Sequence, residues 1–296
     1  RTTGRDLVTV AIFDSGTEYC NPDFDPDRFF FPHISLNCIG QDVGYPCCPA
    51  PGGPSEQQCA FGPAMDNFGH GTMVASVLGA TVNNNLGIAG VDEHCRILSC
   101  RVFGADSQNP YQLISANVGR ATIALEMIAA YSMYDSVRVI NMSVKFDCGN
   151  LPTETQITAF EQAVSVLKAQ NRFVVTTATN DGIGSADLNC PNNFADAITV
   201  GGTDARGWRS VSPSPCTSHS GIGASVDFVA PGMAMPMLIC QSNPCPGCQY
   251  QTASCSPYWG YNFLNGTSFA APHVCGAISL ILAHAIVYRV SWENLQ

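Results

Sequence analysis

Charge is what this chain has least of. Only 12% of its 296 residues are charged, 13 basic against 23 acidic, giving a net charge of −10. Nothing in the sequence supplies a basic stripe able to neutralise phosphates, which argues against a nucleic-acid partner. An internal repeat and a polar linker are also lacking, so residues 1–296 read as one domain. No cleavage-site pattern follows the basic residues of "RTTGRDLVTV", which pass straight into a strand-like run. Long apolar runs are missing too. The longest, near residues 274–288, contains His284 and reads as a core helix too short for a membrane span.

Cysteine, glycine and proline are plentiful. Fifteen cysteines are more than a reducing compartment usually holds without metal, so a secreted or lumenal, disulfide-forming setting is expected. An odd total leaves at least one thiol unpaired within the chain. Cys275, inside an apolar run, is the expected free one. Two stretches concentrate the rest. Residues 29–64 hold four cysteines among prolines and glycines, and "CQSNPCPGCQYQTASC" spans 240–255. Both read as cysteine-rich loop insertions. The single C-x-x-C in the second has no regular partner pair, so disulfides are favoured there over zinc.

Between these loops, short apolar runs recur: "LVTVAIF" (7–13), "ILSCRVF" (97–103), "VRVINM" (137–142), "FVVTTA" (173–178), "AITVGG" (197–202) and "VDFVA" (226–230). They lack polar alternation, as strands covered on both faces do. Helical patterns at 112–134 and 153–170 separate several of them. Strand, helix, strand in succession predicts an α/β domain with a mainly parallel central sheet.

Four polar residues stand at the ends of these elements. Asp14 closes the first apolar run, before Ser-Gly, where open α/β sheets commonly place function. His70 lies in "DNFGHGTMVASVLGA", with glycine on either side and a helix-like stretch behind it. Asn180, in "VVTTATNDGIG", follows another strand; it is a turn residue or a donor to a developing oxyanion. Ser268 precedes Pro272 by four residues. Pro272 lacks the amide that would bond the Ser268 carbonyl, so the helix must begin close to Ser268. Ser268 is therefore a helix cap or a nucleophile. A serine nucleophile needs a base to take its proton and a carboxylate to orient that base. Asp14 and His70 are residues of those types.

Together these segments resemble the subtilisin-like serine protease family, the subtilases. The likeness rests on "DSG" at 14–16, "HGT" at 70–72, "INMS" at 140–143, the Asn180 segment, "VAPG" at 229–232 and "GTSFAAPHV" at 266–274. It implies a three-layer subtilisin-like fold and a secreted serine endopeptidase. It also implies that Asp14 orients His70, that His70 deprotonates Ser268, and that Asn180 holds the oxyanion. Substrate would lie extended beside the segments after Arg101 and around Ser143. Ser143, Val144, Lys145 and Phe146 would line the pocket with Thr177, Ala178 and Thr179. The resemblance implies no cofactor for catalysis, but places a structural calcium at Asp23 and Asn84. The partners it implies are polypeptide substrates, and a pro-region or protein inhibitor.

Three departures accompany the likeness. Val144, Lys145 and Phe146 stand where the family has small residues, and Thr179 replaces the usual glycine before the asparagine. Met73 replaces a second histidine common after the first. The short ends suggest a domain cut off on both sides. A catalytically weak subtilase-fold binding protein is the alternative that these departures keep open.

Overall fold

The apolar runs do become strands, and their side chains explain why both faces had to be apolar. The computed structural model describes residues 8–18, 21–30, 64, 66, 68–105, 113–114, 118–146, 153–182, 184, 186–211, 219–233, 235–239 and 260–288. In chain order the elements are β1 (Thr9–Asp14), α1 (His70–Gly79), β2 (Arg96–Arg101), the short β3 (Gly104–Ala105) and β4 (Leu113–Ile114), α2 (Val118–Ala130) and β5 (Val137–Met142). Then come α3 (Glu154–Ala169), β6 (Phe173–Thr177), β7 (Ala197–Thr203), β8 (Val226–Pro231), β9 (Met235–Ile239), β10 (Gly260–Leu264) and α4 (Thr267–Tyr288).

Six strands form one sheet in the order β2-β1-β5-β6-β7-β8. Every ladder in it is parallel. Successive residues of β1 point to opposite faces, so Val10 and Ile12 join one core while Ala11 and Phe13 join the other. The first core is closed by α1 and α4, through Val74, Leu78, Phe269 and Ala271. The second is closed by α2 and α3, through Leu125, Ile128, Phe160 and Leu167. The result is the three-layer α/β/α arrangement expected of this sequence, with the sheet covered on both sides.

Local signals fix where the helices start. Thr153 caps α3 in a reciprocal box with Gln156. α4 begins at Thr267 and holds Pro272 in its second turn, where the missing amide is the one that would bond the Ser268 carbonyl. This start lies seven residues before the apolar run singled out above, and it makes α4 22 residues long. With a mean hydropathy of 1.8 over its most apolar window, α4 is long and apolar enough to cross a membrane. The expectation of a run too short to span is corrected accordingly. Yet Ala271, Cys275, Ser279 and Leu282 are buried on one side of α4, which packs on α1 and the sheet. That is the packing of a core helix.

Two further readings change. β8 is not covered on both faces: it is a sheet edge, with Phe228 56% and Val229 63% exposed. Antiparallel β9–β10 and β3–β4 pairs were not legible as strands. The cysteine-rich stretches fall almost entirely outside the described residues. Among the described cysteines, Cys275 is outside any disulfide as expected, and so are Cys95 and Cys100, all three buried. Cys190 is disulfide-bonded. With three buried cysteines outside disulfides, cysteine number alone is a weak argument for an oxidising compartment.

Phe160 anchors the second core, its ring edge-on to Phe146 and Phe194 at 5.4 and 5.3 Å between centroids. Phe160→Ala is expected to destabilise the fold by about 3–5 kcal/mol, measured by urea denaturation.

Candidate active site

Because the sheet is parallel, β1, β5 and β6 all end at one edge, and the strand order reverses around β1. The chain passes from β1 to β2 on one side and later to β5 on the other, which opens a crevice at this edge. Asp14 is the last residue of β1, Ser143 directly follows β5, and Asn180 stands three residues beyond β6. α1 and α4 begin at the same edge and bring His70 and Ser268.

Asp14 is fully buried, and its Oδ1 takes two hydrogen bonds, from Ser15 N–H at 2.8 Å and from His70 Nδ1 at 2.8 Å. Burial pushes the Asp14 carboxyl above its ordinary pKa, against the opposing pull of His70 and the Ser15 amide. Burial by itself would pull His70 down. The Asp14 charge and hydrogen bond outweigh it, and hold the imidazole above its ordinary value. With Nδ1 bound to the carboxylate, Nε2 is the nitrogen left for chemistry.

A second buried carboxylate, Asp66, sets the position of α1. Its Oδ1 accepts from Ser15 Oγ, Phe68 N–H and Gly69 N–H, and its Oδ2 accepts from Thr72 N–H and Thr72 Oγ1. Gly69 has no side chain to cap the helix and takes φ = 98°, so Asp66 does the capping from upstream. Gly71 must be glycine, since a Cβ there would stand 2.0 Å from the Gly16 carbonyl oxygen. This close approach of α1 to the end of β1 puts His70 beside Asp14. Sequence reasoning missed Asp66. Its signal was an aspartate just ahead of a glycine-flanked helix start.

On the other side, Phe269 packs against the His70 ring at 5.8 Å, and Phe103 does so at 5.9 Å. Ser268 sits next to Phe269 in the first turn of α4, 9% exposed. Asn180 is fixed by its oxygen, which accepts from Thr267 N–H at 2.8 Å and from Thr267 Oγ1 at 3.0 Å. Its amide nitrogen therefore turns the other way and lies beside Gly266, where a Cβ would be 3.6 Å from Nδ2. A buried carboxylate, a histidine bound to it, and a serine and an amide at one helix start can together deprotonate an alcohol and receive negative charge on oxygen.

A profile of the subtilase family matches residues 5–296. The chain belongs to the subtilase family. It is thus a subtilisin-like serine protease. Subtilisin Savinase from Lederbergia lenta is 31% identical over 246 residues, covering 83% of this chain and 70% of that protein. An alkaline protease from Alkalihalobacillus alcalophilus is also 31% identical over 246 residues, covering 83% of this chain and 50% of that protein. In fold, the subtilase is similar to a protease from Pseudoalteromonas arctica, with a TM-score of 0.63 at 22% identity, covering 94% of this chain and 78% of that one.

The segments read as pocket walls lie together at the crevice. Val144 and Phe146 are buried in the second core, Phe146 against Phe160, so neither stands free on a surface. Half-exposed Lys145 reaches across instead and pairs with Asp181, next to Asn180. Thr177, Ala178 and Thr179 are buried. Asp23 and Asn84 are adjacent as well, but as a hydrogen-bonded pair. Asn84 Nδ2 donates to Asp23 Oδ1 at 2.7 Å, and Ile88 N–H and Tyr261 Oη donate to Asp23 Oδ2. The Asn84 oxygen accepts from Leu86 N–H. This arrangement does not fit calcium, which needs those oxygens bare and facing one point. No group of three His, Cys, Asp or Glu side chains placed to hold a metal occurs among the described residues.

Thr179 has φ = 67°, a left-handed conformation that a β-branched residue rarely adopts. Its carbonyl accepts from Gly221 N–H, and the single proton of Thr267 Oγ1 is shared between this oxygen and Asn180 Oδ1. Thr179→Gly should stabilise the fold by about 1 kcal/mol in urea denaturation, because ~1–3 kcal/mol of strain exceeds the ~0.5–1 kcal/mol entropic cost of glycine.

Proposed function

We propose that this subtilase is a secreted serine endopeptidase working through Asp14, His70 and Ser268. The observation that carries the reading is the 2.8 Å contact of His70 Nδ1 with fully buried Asp14, beside the helix start that holds Ser268. Asp14 keeps the imidazole in the tautomer with Nε2 unprotonated. Ser268 Oγ attacks the peptide carbonyl carbon and gives its proton to His70 Nε2. Asn180 Nδ2 and the Ser268 amide hold the oxyanion; the first α4 amides and the helix dipole add to the field there. His70 then protonates the leaving amine, the C–N bond breaks, and an acyl-enzyme remains. Water, deprotonated by His70, hydrolyses it.

The substrate is an extended polypeptide lying between the segment after Arg101 and Ser143. Its side chain before the cut enters between residues 143–146 and 177–179, with the Lys145–Asp181 pair at the rim. Solved proteases of similar fold include one described as a serine protease processing the epidermin leader peptide and one as a prenylagaramide maturation protease. A disulfide-bonded Cys190 accords with an extracytoplasmic setting, and a pro-region or protein inhibitor would occupy the same crevice.

A fluorophosphonate probe should label the folded protein at Ser268 and fail to label Ser268→Ala. A folded wild type that stays unlabelled would leave the binding-protein reading instead. The pH dependence carries a sign. Only neutral His70 accepts a proton, and Asp14 holds its pKa above the ordinary value of about 6.5. Peptidase kcat/KM should therefore rise with pH through one ionisation lying above ~6.5, and Asp14→Asn should move that limb to lower pH while cutting kcat by about 10⁴.

A further inference from the structure

Pro272 leaves the Ser268 carbonyl without its intrahelical donor, since the amide that would bond it is the one proline lacks. A buried acceptor at this position needs another donor. Ser143 supplies it: its Oγ donates to the Ser268 carbonyl at 2.8 Å, across from the end of β5 to the first turn of α4.

A hydroxyl has one proton. Because Ser143 spends its own on Ser268, it can only accept from its other neighbour, Asn141 Nδ2, at 2.9 Å. That fixes which way the Asn141 amide faces, with Oδ1 turned toward α4. There Oδ1 accepts from the Cys275 thiol, Sγ to Oδ1 being 3.5 Å, two turns of helix beyond Ser268. Asn141 and Cys275 are both 0% exposed and Ser143 is 5% exposed, so water does not compete for these bonds. The four groups form a one-way chain: thiol to amide oxygen, amide nitrogen to hydroxyl, hydroxyl to the carbonyl of Ser268.

We infer that Asn141 and Cys275 are positioning residues for Ser268, acting through the Ser143 hydroxyl. The inference rests on the reading of Ser268 as the nucleophile. Cys275 acts as the latch on the amide. Without its proton, Asn141 can turn over and present oxygen to Ser143, which then gives its proton to Asn141 and releases the Ser268 carbonyl. Burial, and secondarily the neighbouring Cys95, push the Cys275 thiol well above its ordinary pKa, so it stays protonated and remains a donor. The first turn of α4 carries both the nucleophile and an oxyanion amide, so a small rotation there alters the attack geometry of each.

The test uses the whole protein, with rates expressed per active site titrated by fluorophosphonate. Cys275→Ala should lower kcat about threefold with KM unchanged, less than a full hydrogen bond because a thiol is a weak donor, and Cys275→Ser should restore it. Asn141→Asp offers Ser143 only acceptors and should lower kcat by about tenfold or more. A purely structural role would reduce the titratable fraction or the Tm, and leave kcat per titrated site alone. The inference is overturned if Asn141→Asp, folded, keeps wild-type kcat per site, or if Cys275→Ser falls as far as Cys275→Ala. Should Asn141→Asp fail to fold, the near-isosteric Cys275 pair decides by itself. Wild type unlabelled at Ser268 would sink the nucleophile reading and this inference together. Labelled wild type with unchanged Cys275 variants would sink the inference alone.

Discussion

The crevice is organised around a buried carboxylate. Asp14 is shut off from water at the end of a central strand, and a carboxylate in that position must be supplied with donors or become protonated. Two donors reach it, the Ser15 amide and His70. To deliver His70, α1 has to start close enough to β1 that a glycine touches the strand end, at Gly71. Asp66 enforces that start by binding five donors, from Ser15, Phe68, Gly69 and Thr72, and so ties strand end and helix start to one point. The Asp14–His70 hydrogen bond is therefore held by the core, as a preorganised reacting group should be.

The opposite wall follows a similar logic with proline in place of carboxylate. Pro272 deprives the Ser268 carbonyl of its intrahelical donor, and the buried Ser143–Asn141–Cys275 chain makes good the loss from the sheet. Thr267 performs the matching service for Asn180, orienting the amide from the helix start itself. Both walls thus fasten a helix N-terminus to the C-terminal edge of the sheet through side chains. Strain is tolerated where the two meet. Thr179 takes a left-handed conformation just before Asn180, with its carbonyl accepting from Gly221 N–H and sharing the Thr267 hydroxyl proton with Asn180.

Much of the frame was legible in the sequence. Runs such as "VRVINM" and "AITVGG" are mostly apolar and lack polar alternation, as a strand covered on both faces does. "VDFVA" has the same character but lies at the sheet edge, with Phe228 and Val229 exposed. An edge strand in a parallel sheet carries no local mark of its position, because its neighbours are set by crossovers. Pro272 marked the start of α4 beside Ser268, and the helix does begin at Thr267; the membrane-length reading fell short because it counted only the apolar run at 274–288 and left out the polar first turns. Asp23 and Asn84 were rightly seen as neighbours. That they face each other, with Ile88 N–H and Tyr261 Oη also on Asp23, is decided by the packing of segments far apart in the chain.

By itself the sequence determined the six strands of the central sheet, their parallel direction, the start of α4 near Pro272 and the residue types at each strand end. Those are consequences of local sterics and periodicity, which neighbouring residues decide. Only the tertiary structure decided which oxygen of Asp14 takes His70, which way Asn141 and Asn180 face, and that Asp66 rather than a local cap begins α1. A side-chain amide or carboxylate takes its orientation from donors on other elements, and those donors are brought near only when the chain packs.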